Sequence, residues 1–364
     1  MKKSIISVIV FGVFLLTLSI FCLTKPADAF SDSERRELAQ MPELTAETVA
    51  TGEFSRNFEV YTTDQFPQRD LLRSIKAIFS RYVFGKAENN GLFYADGHLS
   101  KIDSAENEEM IDHAAKRFEY IYNTYLTDSN VYFSIVPDKN KYLAKSNGYP
   151  SLDYDGFAER MRAKVDYMKY IDISQLLEVS DYYRTDTHWK QESITDVAEY
   201  IASAMGKEIN GNYTTNSTDI PFYGVYSGQY AMHVFPDELK YLTNDTIDNA
   251  VVTYYSTGVP KAGEMYNIEK AEGKDPYEMF LSGTMPLVTL ERADSTGEKH
   301  LILFRDSFGS AIAPLFLEAY DKVTVVDTRY VQSEFLKNFG IEFSGADVLF
   351  LYSTSLLNNS LAIR

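Results

Sequence analysis

The chain of 364 residues holds one cysteine, one tryptophan and five histidines, and each scarcity closes off a class of protein. The lone Cys22 sits inside an apolar run, so no disulfide framework exists and the body must rely on its core. No Cys/His spacing of the metal-binding kind occurs, and no glycine-rich phosphate loop follows a strand-like run. Internal repeats and low-complexity tracts are also missing. Beyond the first lysines there is no basic run, and a formal charge of −17 argues against nucleic acid or an anionic bilayer surface as partner.

What is present begins with Met1-Lys2-Lys3, an uncharged and mostly apolar stretch from Ser4 to Thr24, and then Lys25-Pro26. At 1.5 Å per residue, about twenty helical residues cross the roughly 30 Å hydrocarbon layer, so residues 1–29 read as a signal anchor. Ala27-Asp28-Ala29 has the small-x-small form of a signal-peptidase site, and secretion after cleavage near Ala29 is the alternative. Two leading lysines place everything after Lys25 outside the cytoplasm. Ser19-Ile20-Phe21 ahead of Cys22 is too bulky for a lipoprotein cleavage box.

Residues 30–100 read as a membrane-proximal helical lead-in, with Phe54, Phe58, Tyr61, Phe66, Leu72 and Ile75 among polar residues. It closes on a small hairpin predicted by the turns Asn90-Gly91 and Asp96-Gly97. From 101 to 364 apolar runs such as Val131–Val136, Leu301–Phe304, Val323–Val326 and Val348–Leu351 alternate with helical stripes. That alternation predicts an α/β domain, a mainly parallel sheet with helices on both faces. The polar stretch at about 207–262, rich in Asn, Thr, Tyr and Gly, is expected to be a loop or hairpin insertion.

Ser307 is the sharpest chemical candidate, because Leu301-Ile302-Leu303-Phe304-Arg305-Asp306-Ser307-Phe308-Gly309 runs from a strand through a polar turn into a helix. Open α/β sheets place reacting groups at that end of a strand, and the helix start offers backbone N–H groups to an oxyanion. The same pattern also serves as a plain helix cap. Among the bases, His98, His113, His233 and His300 sit in structural settings, whereas His188 lies in Asp186-Thr187-His188-Trp189. In an extended segment residues i and i+2 face the same way, so Asp186 can accept the Nδ1 proton of His188 and leave Nε2 for a serine. The competing reading is that Asp186 caps the next helix while His188 and Trp189 pack beneath it. Trp189 itself is either a wall of the site or a sugar platform. Lys139 and Arg329 follow strand ends, where each is a surface charge, a brace for the site or a substrate contact. Phe222, Tyr223, Tyr226 and Tyr230 either line a glycan groove or staple the long loop.

Asp186-Thr187-His188-Trp189 followed far downstream by Asp306-Ser307-Phe308 resembles the DHHW family of bacterial exported proteins, related to the SGNH-like proteins of alginate O-acetylation. Also similar are Phe30 to Leu38, Asp64-Gln65-Phe66-Pro67-Gln68-Arg69-Asp70, Val136-Pro137-Asp138-Lys139, Tyr277 to Gly283 and Val326-Asp327-Thr328-Arg329-Tyr330. The chain departs in having Thr187 where the family box has His, and Arg305 where a Gly-Asp-Ser block has Gly. The resemblance implies a three-layer α/β/α SGNH-like domain and a triad of Ser307, His188 and Asp186. It further implies an acetyl-serine intermediate that O-acetylates a cell-surface or exopolysaccharide. No cofactor is implied, and a multi-pass membrane O-acyltransferase is the expected acetyl donor. Ser307 and Gly283 are the expected oxyanion donors, with Trp189, Arg329 and Tyr226 as substrate contacts. A carbohydrate esterase with the same triad, and a non-catalytic polysaccharide-binding or assembly protein, are the alternatives.

Overall fold

A computed structural model describes residues 2–232, 235–256 and 258–364. The chain forms two compact units: one holds the residues up to Asn90 with a short return from Ser227, the other Gly91–Tyr226 and the remainder to Arg364.

The first unit begins with the helix Lys2–Thr24, whose stretch Ile5–Cys22 has a mean hydropathy of 2.8 and is long and apolar enough to cross a membrane. Helices Ala46–Ala50, Glu53–Asp64 and Arg69–Ile78 follow. Their tie is Asp64, which is buried and accepts Arg36 at 2.9 and 2.6 Å and the Ala39 N–H at 2.9 Å. The hydrogen bonds from Arg36 hold its carboxyl down at about 2. Because Arg36 remains partly in water, the pair contributes less than a fully buried one.

In the second unit eight strands form one sheet: β1 (Asn130–Val136), β2 (Lys169–Tyr170), β3 (Val251–Tyr254), β4 (Lys261–Ala262), β5 (Leu287–Glu291), β6 (His300–Arg305), β7 (Lys322–Val326) and β8 (Asp347–Ser353). The order is β4-β3-β5-β7-β6-β8-β1-β2. From β7 to β2 neighbours run parallel, while β5, β3 and β4 join antiparallel. Strands apolar along their middle are buried on both faces, which is why β6 and β8 lie at the centre. Leu301, Leu303, Leu349 and Leu351 pack with Val197, Ala198 and Ile201 of helix Thr195–Ala204. Ile302, Phe304, Val348 and Phe350 pack on the opposite face with Ile111, Ala114 and Phe118 of Glu108–Ile121 and with Phe157 and Met161 of Tyr154–Lys164. The result is the expected three-layer α/β/α arrangement with a mainly parallel sheet.

The stretch at about 207–262 is more regular than its composition indicated. Thr214–Phe222 and Asp237–Thr243 pair as a two-stranded ribbon, but β3 and β4 enter the main sheet. Their signal is weak in sequence because they lie at a sheet edge, where Val252 alone among their six residues is buried. The hairpin Leu92–Ala95 with His98–Lys101 forms as expected, and Asp96 (φ 45°) and Gly97 (φ 80°) supply the two positive φ values of its turn.

Candidate active site

Ser307 stands between the carboxyl end of β6 and the short helix Phe308–Ile312. Its backbone is already helical (φ −60°, ψ −26°) and its side chain makes no cap bond. The capping falls instead to Asp306, which accepts the Phe308 N–H at 3.1 Å and the Ser353 N–H of β8 at 2.8 Å. With that work done by its neighbour, the Ser307 hydroxyl meets His188 Nε2 at 2.7 Å. His188 Nδ1 is 2.6 Å from Asp186 Oδ1, so the proton donated there leaves Nε2 as acceptor for the serine O–H. Asp186, His188 and Ser307 are thus in register, with Asp186 fully buried and His188 nearly so.

The loop carrying Asp186 and His188 is a tight reversal closed by Tyr182 opposite Trp189 and by the Tyr183 N–H donated to the His188 carbonyl at 3.0 Å. Asp186 does not cap the next helix, whose N-cap is Lys190; Oδ1 also accepts the His188 N–H at 3.1 Å, and Oδ2 accepts the Val225 N–H at 2.9 Å, so it braces its own loop. Gly224, two residues past the ribbon strand Thr214–Phe222, passes close to the loop: a Cβ there would lie 2.3 Å from Asp186 Cβ. Asp237 fixes the other side by accepting Arg184 N–H at 2.8 Å, Thr185 N–H at 2.7 Å and the Thr185 hydroxyl at 2.6 Å. The Tyr277 ring lies flat on the imidazole, centroids 3.8 Å apart at 6°.

Lys139 is buried, not a surface charge. Its ammonium donates to the carbonyls of Asp186 at 2.6 Å, Tyr183 at 2.8 Å and Arg184 at 3.3 Å, and lies 5.0 Å from the Tyr226 ring centroid. Burial pulls it down to about 7, opposed by Asp186 and Asp237. Three carbonyl acceptors suit the protonated form, which alone has three donors. Beside it, burial with Asp103 nearby pushes the Asp138 carboxyl up to about 7.

Several expected roles change. Trp189 is fully buried, stands edge-on to Phe308 and donates Nε1–H to the Phe308 carbonyl at 3.0 Å, so it supports the serine turn and offers no face to a sugar. Gly283 (φ 73°) gives its N–H to the Phe280 carbonyl at 3.1 Å and is not a free oxyanion donor; its own carbonyl faces Arg305 at 3.4 Å. Arg329 is turned onto Asp327, donating at 2.9 and 2.7 Å, while Arg305 reaches the same buried carboxylate at 3.2 Å. Tyr226 is half-buried, with its N–H on the Thr185 carbonyl and its phenol bonded to Thr187, which makes it part of the loop's support. Of the other aromatic residues Phe222 is buried edge-on to Tyr183, Tyr230 is buried in the first unit, and Tyr223 is exposed.

His98 Nδ1 contacts the Asp96 carbonyl, His113 the Ser360 hydroxyl and His300 the Thr324 hydroxyl, each in a structural setting. His233 lies outside the described residues. Asp237, Gly224 and the stacking of Tyr277 were missed from sequence. They are distant in the chain from the box they serve, and only the quoted Tyr277–Gly283 segment gave any sign.

No family model matches the chain, and no curated protein sequence does. Solved structures do. A DHHW family protein from Eubacterium siraeum is 24% identical with a TM-score of 0.63, covering 76% of this chain and 95% of that one. PatB1 of Bacillus cereus, solved with a sulfonyl adduct, is 20% identical with a TM-score of 0.56 over 73% of this chain and 95% of its own. The O-acetyltransferase domain of Pseudomonas putida AlgJ matches at 15% identity and a TM-score of 0.45, over 74% of this chain and 92% of that one. The fold is therefore similar to that of the DHHW family protein and of PatB1.

Proposed function

We propose that this chain is an extracytoplasmic serine acyltransferase that O-acetylates a cell-surface or exopolysaccharide. The observation that carries the reading is the contact of Ser307 Oγ with His188 Nε2 at 2.7 Å, with Asp186 behind the imidazole at 2.6 Å. His188 takes the Ser307 proton as Oγ attacks the acetyl carbonyl, and returns it to the leaving group. The acetyl group is then held as an ester on Ser307. A sugar hydroxyl attacks that ester, gives its proton to His188, and leaves as the acetylated sugar with Ser307 restored. Asp186 keeps the imidazole in the tautomer that can accept from serine, and Tyr277 keeps the ring in plane. The Ser307 N–H at the start of the following helix is the oxyanion donor retained from the sequence. Acetyl transfer to a glycan, and a multi-pass membrane acyltransferase as donor, rest on the family resemblance.

PatB1, which shares this fold, carries a sulfonyl adduct, and we predict that Ser307 forms one too. A small sulfonyl fluoride should add its sulfonyl mass to the Ser307 peptide at neutral pH and not to Ser307→Ala. Equal labelling of both would remove the nucleophile assignment. Transfer is tested by incubating the protein with an activated acetyl ester, with and without oligosaccharides. Acetylated sugar should rise at the expense of free acetate. Acetate release indifferent to every oligosaccharide would replace transferase with esterase.

A further inference from the structure

Helix Arg69–Ile78 continues through Phe79–Val83, and its residues face the wrong way for a water-soluble body. Leu71, Leu72, Ile75, Ile78, Phe79 and Val83 are each at least 42% exposed. At about 100° per residue these six fall within an arc of roughly 140°. The opposite face is the buried one, and it is polar. Ala77 and Ser80 are covered there, and Arg69 and Arg73 both pair with Glu34, Arg73 at 3.1 Å. Arg73 further donates to the carbonyls of Gly228 and Gln229, each at 3.1 Å. Charged pairs tie this helix down, and its apolar face is left outward. A contiguous apolar surface of that size marks a contact site.

The chain itself indicates what covers it. The bilayer-length helix ends at Thr24, and four residues later Asp28 exchanges two hydrogen bonds of 2.8 Å with the Gln65 side chain. Four extended residues reach at most about 14 Å, so Gln65 is held within that distance of the membrane helix's end. The 69–83 helix starts four residues after Gln65. Lys76 borders the apolar arc, while Arg81 turns toward Tyr230, in a chain that is strongly acidic overall. The net charge and the lack of a basic run argue against attraction by an anionic surface, and the contact here rests on the apolar face. An outward apolar face on a helix tethered this close to a bilayer-length segment suits the bilayer interface.

We propose that residues 69–83 lie in the interfacial layer of the same bilayer that helix Lys2–Thr24 crosses, apolar face down, as a second membrane contact. The contact fixes the first unit at the lipid surface instead of leaving it on a free tether.

The test uses the full chain in vesicles of phosphatidylcholine with phosphatidylglycerol. Cys22 is first replaced (Cys22→Ser), and a single cysteine is introduced by Ile75→Cys, by Phe79→Cys or, as solvent control, by Lys116→Cys. Each is labelled with an environment-sensitive fluorophore. At 75 and 79 the emission should shift to the blue and lose at least half its intensity when shallow doxyl-labelled lipid is present, with neither change at 116. Water-like emission at 75 and 79 would overturn the proposal. Blue-shifted emission untouched by the lipid quencher would overturn it as well, since a protein partner or a second copy would then cover the face.

Discussion

At the scale of single residues, the site depends on buried groups whose partners are backbone atoms. Asp186 is the first case. Asp186→Asn retains most of its shape but presents an amide donor to the imidazole, so the protein should fold with an unchanged circular dichroism spectrum while turnover falls by about 10⁴-fold, as the same change does in a serine protease. A folded variant with near-normal activity would reduce Asp186 to a loop cap. Lys139 is the second. Replacing it by Met removes the donor from three carbonyls, two of them within 2.8 Å, and leaves them buried. The expected cost is roughly 3 kcal/mol in a urea titration. Asp138 gives the pH dependence. Its carboxyl is raised from 3.8 to about 7 when folded, so between these values the native state binds more protons than the unfolded chain. Stability contributed by this group is therefore complete below about 4 and falls as pH rises to about 7. Asp138→Asn should flatten that part of the stability profile; a profile identical to the parent's would mean another group titrates there.

At the scale of elements, the turn after β6 shows how one substitution is answered by another residue. Arg305 occupies the position where a glycine would let backbones close up, and its stem lies under the helix start: a Cβ on Gly309 would stand 2.4 Å from Arg305 Cβ. Asp327, fully buried, neutralises the Arg305 head and Arg329 together. A glycine at 309 is what lets the helix start close on the Arg305 stem. Gly309→Ala should lift the 308–312 helix from β6, destabilise the protein by about 1–3 kcal/mol and lower turnover more than substrate affinity, because Ser307 is the residue displaced. Both effects should weaken in Gly309→Ala combined with Arg305→Gly. No such rescue would place the strain elsewhere. The strands were legible because β1, β6, β7 and β8 are apolar at nearly every position, and the Asp186–His188 pair because two residues apart is a local relation. Asp237 and Gly224 were not legible, since each reaches the loop from a ribbon whose pairing the sequence did not announce. Trp189 misled because a lone tryptophan beside a histidine has the same one-dimensional pattern whether it faces solvent or core.

At the scale of the whole molecule, the question is how an acidic body, proposed to work outside the cytoplasm, is held at its place of work. Two features of the chain bear on it with different strengths. The Lys2–Thr24 helix is long enough to span, and transfer of such a segment is effectively irreversible, whereas an interfacial helix alone binds reversibly. Alkaline carbonate separates the two, because it strips proteins held at the surface and leaves those that span. If the anchor is retained, full-length protein should stay in the carbonate pellet with its N-terminal lysines intact, and changing Leu72, Ile75 and Phe79 together to Glu should not release it. If cleavage occurs near Ala29, the mature chain begins at Phe30 and carbonate should release it, while at neutral pH the 69–83 helix still holds part of it on vesicles. N-terminal sequencing of pellet and supernatant decides between these outcomes. A mature Phe30 terminus would refute the anchor and leave the Ser307 chemistry untouched, because Asp186, His188 and Ser307 all lie beyond the cleavage point.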